Sequence, residues 1–345
     1  MVPSSRVDSY AMRFGAAFFP SMPVDEVTEI ARLAEDLGFA DLWIPDQSFH
    51  HDPFLLLARC ADATSVIRLG VAVTNPVSRH PVQIARAAAT LGMISEGRFV
   101  LGLGAGNRTR VLPALGLPND RPAARIAEAI DVCRRLLRGE EVSVSGPTLS
   151  LTEVRLDVGV LPEIPIFVGS RGPRVLRLAG AMADGVFVEA MCTPEGLDYA
   201  IGEVEGGARD SGRVASEVEI VSWQAIKLST TIAAADDGRY RAWAAALMRS
   251  TREDVLERIG IPPATIRSVI DAFRASGERA AGSLVPDDVV SRLLLVGDPG
   301  QIHEQVQMAE ARGIDSLSII SFGTTEVVQD TLRRFALDVM GRSAR

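Results

Sequence analysis

Five short stretches carry residues whose types and spacing could do chemistry: "WIPDQSFHH" (43–51), "VTNP" (73–76), "LGLGAGNRT" (101–109), "VGSRGPR" (168–174) and "FVEA" (187–190). They offer two carboxylates, Asp46 and Glu189, beside amides, hydroxyls and glycines. No pair of carboxylates is spaced for glycoside hydrolysis, and no lysine stands out for a Schiff base. A set this poor in acid–base groups points to chemistry borrowed from a cofactor. In "VGSRGPR", Pro173 suits the first turn of a helix, where its missing N–H costs nothing. The free N–H groups of that turn, with Arg171 or Arg174, favour an anion such as a phosphate. The alternative is a helix start whose arginines are merely solvated. Glu189 is either a functional polar group or a structural hydrogen-bond partner. His50 and His51 are either solvated loop residues or a base that swings in.

Gly102, Gly104 and Gly106 resemble a dinucleotide-binding loop, but the match fails on position. That fingerprint needs GxGxxG on the first strand–helix unit, with an acid about 20 residues later. Here the pattern is GxGxG, Asn107 follows, and the motif closes a fourth strand. Glycines at the lip of a strand let a flat ligand approach the backbone closely; the alternative is a tight turn with no ligand.

The elements that must position these residues alternate along the chain. Apolar runs at 13–19, 40–45, 67–74, 97–104, 164–170, 185–190, 217–226 and 315–321 read as buried strands. Helical patterns lie at 23–39, 54–65, 81–94, 121–138, 174–183, 195–211 and 300–313. In the first of these, Val27, Ile30, Ala34 and Leu37 share a face, with acids in the first turn and Gly38 at the end. "LAEDLGFADLWI" and "MAEARGIDSLSII" echo one another as helix, glycine stop and strand. The expectation is an α/β chain folded as a (β/α)8 TIM barrel, with chemistry at the C-terminal ends of its strands. Residues 1–11 read as a loose arm and 12–345 as a single domain. Insertions are expected at 139–163, as a polar hairpin, and at 232–297, mostly helical, between strands seven and eight.

Composition narrows the class. The 345 residues are 47 % apolar and 23 % charged, with a formal net charge of −8. Scattered arginines on an acidic chain argue against nucleic acid, and no run of about 18 apolar residues suggests a membrane span. Three widely spaced cysteines without CxxC fit small core residues in a reducing cytoplasm. Four histidines without HxxxH or a His/Cys cluster suggest no metal.

One longer stretch is specific: "LGVAVTNPVSRHPVQIARAAATLGMISEGRFVLGLGAGN", with "LWIPD" before it and "IPIFVGSRGPRVLRLAGAMADG" after. It resembles the luciferase-like flavin/deazaflavin oxidoreductases, and among them the coenzyme F420-dependent, methylenetetrahydromethanopterin reductase-like branch. The likeness runs from about residue 12 to 335 and includes the late insertion "VLERIGIPPATIRSVIDAF". The resemblance implies a deazaflavin lying across the barrel mouth, backed by a bulge with a non-proline cis peptide at Ala72-Val73, followed by Thr74 and Asn75. It implies that Asp46 contacts the hydroxylated ring end, that Gly104, Gly106 and Asn107 line the ring, and that Gly169, Ser170, Arg171, Gly172 and Pro173 hold the phosphate-bearing tail. Asp46 and Gln47 are the expected catalytic pair. A homodimer and a small-molecule substrate are implied as partners. The implied activity is hydride transfer between F420 and a C=C, C=N or C=O carbon. FMN, in a monooxygenase of the same family, is the alternative cofactor, and a non-catalytic flavin-binding relative is the third reading. Two departures matter. The alcohol dehydrogenases of this family place His where Gln47 stands, and an amide cannot serve as a base. The methylene-pterin reductases carry Glu on the first strand, where this chain has Ala16-Ala17.

Overall fold

The computed structural model describes residues 11–342, without the side chains of 232, 233 and 237. In chain order the elements are β1 (Arg13–Phe18), α1 (Val27–Asp36), β2 (Asp41–Ile44), α2 (Pro53–Ala63), β3 (Arg68–Thr74), α3 (Pro81–Ile94), β4 (Phe99–Gly104) and the short α4 (Val111–Ala114). Next come α5 (Pro122–Leu137), the hairpin β5 (Val142–Ser145) and β6 (Ser150–Val154), β7 (Ile166–Gly169), α6 (Pro173–Met182), β8 (Gly185–Glu189), α7 (Pro194–Asp210) and β9 (Glu219–Leu228). Then follow α8 (Asp237–Ser250), α9 (Glu253–Arg258), α10 (Pro263–Gly282), α11 (Asp287–Leu293), β10 (Leu295–Gly297), α12 (Pro299–Glu310), β11 (Ser316–Ser321) and α13 (Thr325–Asp338).

Eight of these strands pair in parallel in the order β1-β2-β3-β4-β7-β8-β9-β11, and β11 returns to β1. The sheet closes as a (β/α)8 TIM barrel, and the eight apolar runs are its eight staves. Such strands are covered on both faces, which is why they read as continuous apolar runs. The helices begin sharply because a proline opens α2, α3, α5, α6, α7, α10 and α12. Asp52, Thr193 and Asp298 cap three of them with side-chain oxygens.

Two layers fill the barrel below its mouth. At the N-terminal end Arg68 reaches Asp41 (2.7 Å) and Glu219 (2.6 Å), and Arg13 joins Glu219 (2.6 Å). Above them Trp43 donates to Ser318 Oγ (2.9 Å) and meets Phe187 edge-on, ring centres 5.0 Å apart. Phe167 packs on Phe187 at 5.5 Å. These rings close the centre of the barrel.

Three elements carry no periodic signal in the sequence: the short α4, α13, which completes the helical ring, and β10, a three-residue extension beside the overhanging end of β9. The stretch 139–163 holds the antiparallel hairpin β5–β6, and 232–297 holds α8 to α11 with β10. The expected arm at 1–11 lies outside the described residues apart from Ala11, whose N–H donates to Glu310. Among the described residues no helix is long and apolar enough to cross a membrane.

One carboxylate gives the fold a pH dependence. Glu35, on the last turn of α1, accepts backbone N–H groups from Ser65, Val66 and Ile67 at 2.8–3.0 Å. Partial burial would raise its pKa, but these bonds and nearby Arg98 outweigh that and hold it below the ordinary value. A depressed folded pKa contributes stability above the unfolded value of about 4.3, lost as pH falls through the folded one. Glu35→Gln should therefore shrink the difference in melting temperature between pH 7 and pH 3; an undiminished difference contradicts this role.

Candidate active site

The site begins where β2 ends. Asp46 is buried at its carboxylate, 3 % exposed, and is held from two sides. Thr74 Oγ1 donates to Asp46 Oδ2 at 2.8 Å, and Arg79 Nε donates to the same oxygen at 2.7 Å. Arg79 also reaches Asp52 Oδ2 at 2.8 Å and lies over the Phe54 ring, 5.2 Å from its centre. Burial would lower the Arg79 pKa, yet its bonds to Asp46 and Asp52 prevail and raise it. Asp46 Oδ1 accepts only a long bond from the Ser48 N–H, 3.3 Å. Among the described residues one carboxylate oxygen is thus held by two short bonds and the other by a single long one. Gln47 follows, half-buried; His50 and His51 are exposed on the same loop.

β3 carries the cis peptide Ala72-Val73, and its register against β4 shifts between Val71 and Thr74. The bulge turns the Val73 side chain toward three glycines. A Cβ on Gly102 would fall 3.0 Å from Val73 Cγ1, one on Gly104 2.5 Å from Cγ2, and one on Gly169 2.9 Å from Cγ1. The glycines of the fourth strand therefore make room for the bulge of the third. Their reading as a lip that admits a ligand directly lacks this intermediary. Gly106 is the true turn position, at φ +75°, and it packs against Asn75. Asn75 is buried and spends its amide on its own loop, accepting from Val77 and Ser78 N–H and donating to Ser78 Oγ. Asn107 is exposed, and its Oδ1 accepts from Thr109 and Arg110 N–H ahead of α4. Both asparagines hold loops in shape.

Between β7 and α6, Ser170 Oγ accepts the Gly172 N–H at 3.1 Å and Pro173 opens the helix. Arg174, in its first turn, is exposed. Arg171 behaves differently from a solvated or outward arginine: its guanidinium turns in to the Glu189 carboxylate and to Ser250 Oγ (2.8 Å), while Tyr199 OH donates to its carbonyl. Glu189 ends β8 on the inner wall. Burial pushes its pKa above the ordinary value, with Arg171 opposing.

The overhanging insertion closes the opposite sector. From α8, Trp243 packs on Phe19 (5.4 Å) and Phe322 (5.2 Å), and Tyr240 packs on Phe322 (5.6 Å), just beyond the ends of β1 and β11. Beside them opens a cavity of about 630 Å³ bounded by Phe19, Met22, Glu26, His50, Arg239 and Phe322. Ser321 faces away, bonded to Thr331 on α13. Trp223 Nε1, on the inner face of β9, is buried without an acceptor among the described residues.

The structure thus joins Asp46 to Thr74, sets Ala72-Val73 against Gly104 and Gly169, and joins Asn75 to Gly106. Among the described residues no side-chain hydrogen bond ties Gln47 or Asn107 to that group. Sequence reasoning missed Arg79, although "RHP" followed the bulge motif, because nothing local says that its guanidinium reaches back 33 residues to Asp46. Trp223 and Tyr240 were missed for want of any signal beyond apolar character. No group of three or more potential ligands that could hold a metal occurs among the described residues.

Comparison with known proteins places the chain in a family. Residues 4–316 match the family model described as luciferase-like monooxygenase. A 5,10-methylenetetrahydromethanopterin reductase of Methanolobus tindarius is 30 % identical over 319 residues, 92 % of this chain and 93 % of that one. The enzyme of the same name from Archaeoglobus fulgidus is 29 % identical over 308 residues, 88 % of this chain and 91 % of that one. The solved structure of a coenzyme F420 dependent tetrahydromethanopterin reductase from Methanopyrus kandleri superposes with a TM-score of 0.85 at 25 % identity, covering 96 % of this chain and 99 % of that one. With its barrel, its bulged third strand and a match across nine-tenths of its length, this chain belongs to the luciferase-like monooxygenase family of enzymes.

Proposed function

We propose that this enzyme is an oxidoreductase dependent on coenzyme F420, whose reduced deazaflavin supplies a hydride from C5 to a C=C, C=N or C=O carbon of a small organic substrate. The names of its relatives support the cofactor. The observation that carries the reading is the shape of the β3 wall: Val73 on the bulge fills the space left by Gly104 and Gly169, so no larger side chain stands there and a flat ring can lie against it.

The residues present fit such a group. Ala72, Val73 and Gly104 would back the ring, with Asn75, Gly106 and Asn107 shaping the loops around it. Asp46, fixed by Thr74 and Arg79 through Oδ2, would offer its weakly bonded Oδ1 to the hydroxylated ring end. Gly169, Ser170, Gly172 and Pro173 would shape the turn that sets the phosphate at the positive end of α6, with Arg174 adding charge. Arg171 would act from within, through Glu189. Gln47 would donate a hydrogen bond to substrate, since its amide cannot take a proton. Substrate would lie under α8, which reaches across the mouth from Phe19 and Phe322 to Arg171. The chain's part in the rate is then orientation, holding two carbons in attack geometry. We place the enzyme in the cytoplasm as a homodimer.

The test is turnover. Anaerobic protein with reduced F420 and a panel of enones, imines and quinones should regain the absorbance of oxidised F420. Oxygen uptake with reduced FMN, and no response to F420, would instead make it a flavin monooxygenase. No turnover with either cofactor would leave a flavin-binding protein without catalysis.

A further inference from the structure

We propose that Glu189 exchanges with the substrate the proton that accompanies the hydride, and that Arg171 positions it to do so. The inference rests on the hydride-transfer reading above and adds the group that completes it. Reducing a C=O or C=C bond needs a proton as well as a hydride, and the candidate cofactor wall of glycines, Ala72 and Val73 has no proton to give.

The barrel itself singles out the donor. Side chains alternate between the two faces of a strand, so Glu189 shares the inner face of β8 with Phe187. Phe187 and Trp43 close the barrel centre; Glu189 stands one step above that closure, at the C-terminal end. Among the described residues the other inward carboxylates, Asp41 and Glu219, lie at the far end, locked to Arg68 and Arg13. Asp46 lies beyond β2 and is fixed by Arg79 and Thr74. Glu189 is also next to the candidate phosphate loop, because β7 and β8 are paired with Gly169 opposite Phe187.

Its surroundings suit a group that cycles between acid and carboxylate. Burial favours the neutral acid, and Arg171 stabilises the anion left after transfer. The other groups facing it do not compete: the Cys192 thiol is itself held neutral by burial, Ser250 is occupied by Arg171, and Trp223 offers only an N–H. Ser250 and Tyr199 pin Arg171 from both ends, so the carboxylate is held in one place. In the reducing direction the substrate carbon gains the hydride and its two electrons from reduced deazaflavin. The π bond opens, and its electron pair takes the proton from the Glu189 carboxyl O–H. The resulting carboxylate pairs with Arg171 and regains a proton from water.

The experiment has two arms. Infrared difference titration of the cofactor-free protein should show a protonated-carboxyl band with a midpoint above the glutamate value of about 4.3. Glu189→Gln should remove that band, and Arg171→Met should move its midpoint up. In the second arm, menadione is reduced by reduced F420. Glu189→Gln should lower kcat by about 10²–10⁴-fold and leave the F420 dissociation constant unchanged, while Glu189→Asp retains activity with a shifted pH limb. An unchanged kcat in Glu189→Gln, or no band that this substitution removes, overturns the proposal. A midpoint unmoved in Arg171→Met overturns the positioning role. If Glu189→Gln fails to fold, Glu189→Asp decides: an unshifted limb and an unshifted band overturn it. Should wild type not oxidise reduced F420, the hydride reading fails on that arm, and the infrared arm still decides whether Glu189 holds the proton.

Discussion

Arg79→Met is expected to cost roughly 3 kcal/mol of folding stability and to abolish retention of the cofactor. The substitution keeps the aliphatic stem but removes the guanidinium that lies over Phe54 and is shared by two carboxylates. Asp46 is 3 % exposed, so removing its cation leaves a buried charge with only Thr74 and a distant N–H beside it. Breaking one partner of a buried pair costs about 3–5 kcal/mol, and the lower figure applies because Arg79 itself is 30 % exposed. Urea denaturation measures the first effect and fluorescence titration with F420 the second. The control is Asp46→Asn with Arg79→Met, which removes the stranded charge and should recover much of the stability while leaving cofactor affinity low. A single variant as stable as wild type would show that Asp46 has another partner.

Gly104→Ala should destabilise the protein by about 1–3 kcal/mol, the usual range for overpacking, and Val73→Ala in the same chain should restore most of it. The new Cβ at 104 meets Val73 Cγ2 first, a movable side-chain atom, and shortening Val73 removes the conflict. Gly102→Ala is different. Its Cβ would run into the backbone carbonyl of Val71 as well as Val73, so Val73→Ala should not rescue it. A double-mutant cycle for each pair gives the coupling directly. Equal rescue at both positions, or at neither, would mean that the bulge does not explain these glycines. The same cycle carries a functional reading, because the candidate ring wall exists only while Val73 lies against bare backbone.

This contrast also shows where sequence stops being sufficient. The alternation of apolar runs with 3.6-period helices was visible from residue 13 onward because both faces of each parallel strand are buried, and burial is written locally in residue type. The start of α6 was visible for a similarly local reason, the proline at its first turn. The reasons behind individual site residues were not. "LGLGAGN" shows that the fourth strand must be bare, but the atom that demands it belongs to Val73, 31 residues earlier. Asn75 and Asn107 look alike as polar rim residues, and only the folded loops reveal that each spends its side chain on nearby backbone. Arg171 reads as a phosphate ligand from its place before Pro173; the neighbouring strand supplies the carboxylate that turns it inward. Tyr240 and Trp243 sit in a helix whose distance from the rim along the chain hides that it folds over Phe19 and Phe322. For Val73, Arg79, Arg171 and Trp243, side-chain direction is fixed by contacts distant in sequence, and no local pattern carries it.

The most direct test of the account is a crystal structure of the protein with F420 bound. The deazaflavin ring should lie across the Val73 bulge between Gly104 and Gly169, with its phosphate at the first turn of α6 beside Arg174. A ring seated anywhere else, or an α6 N-terminus without the phosphate, would contradict it.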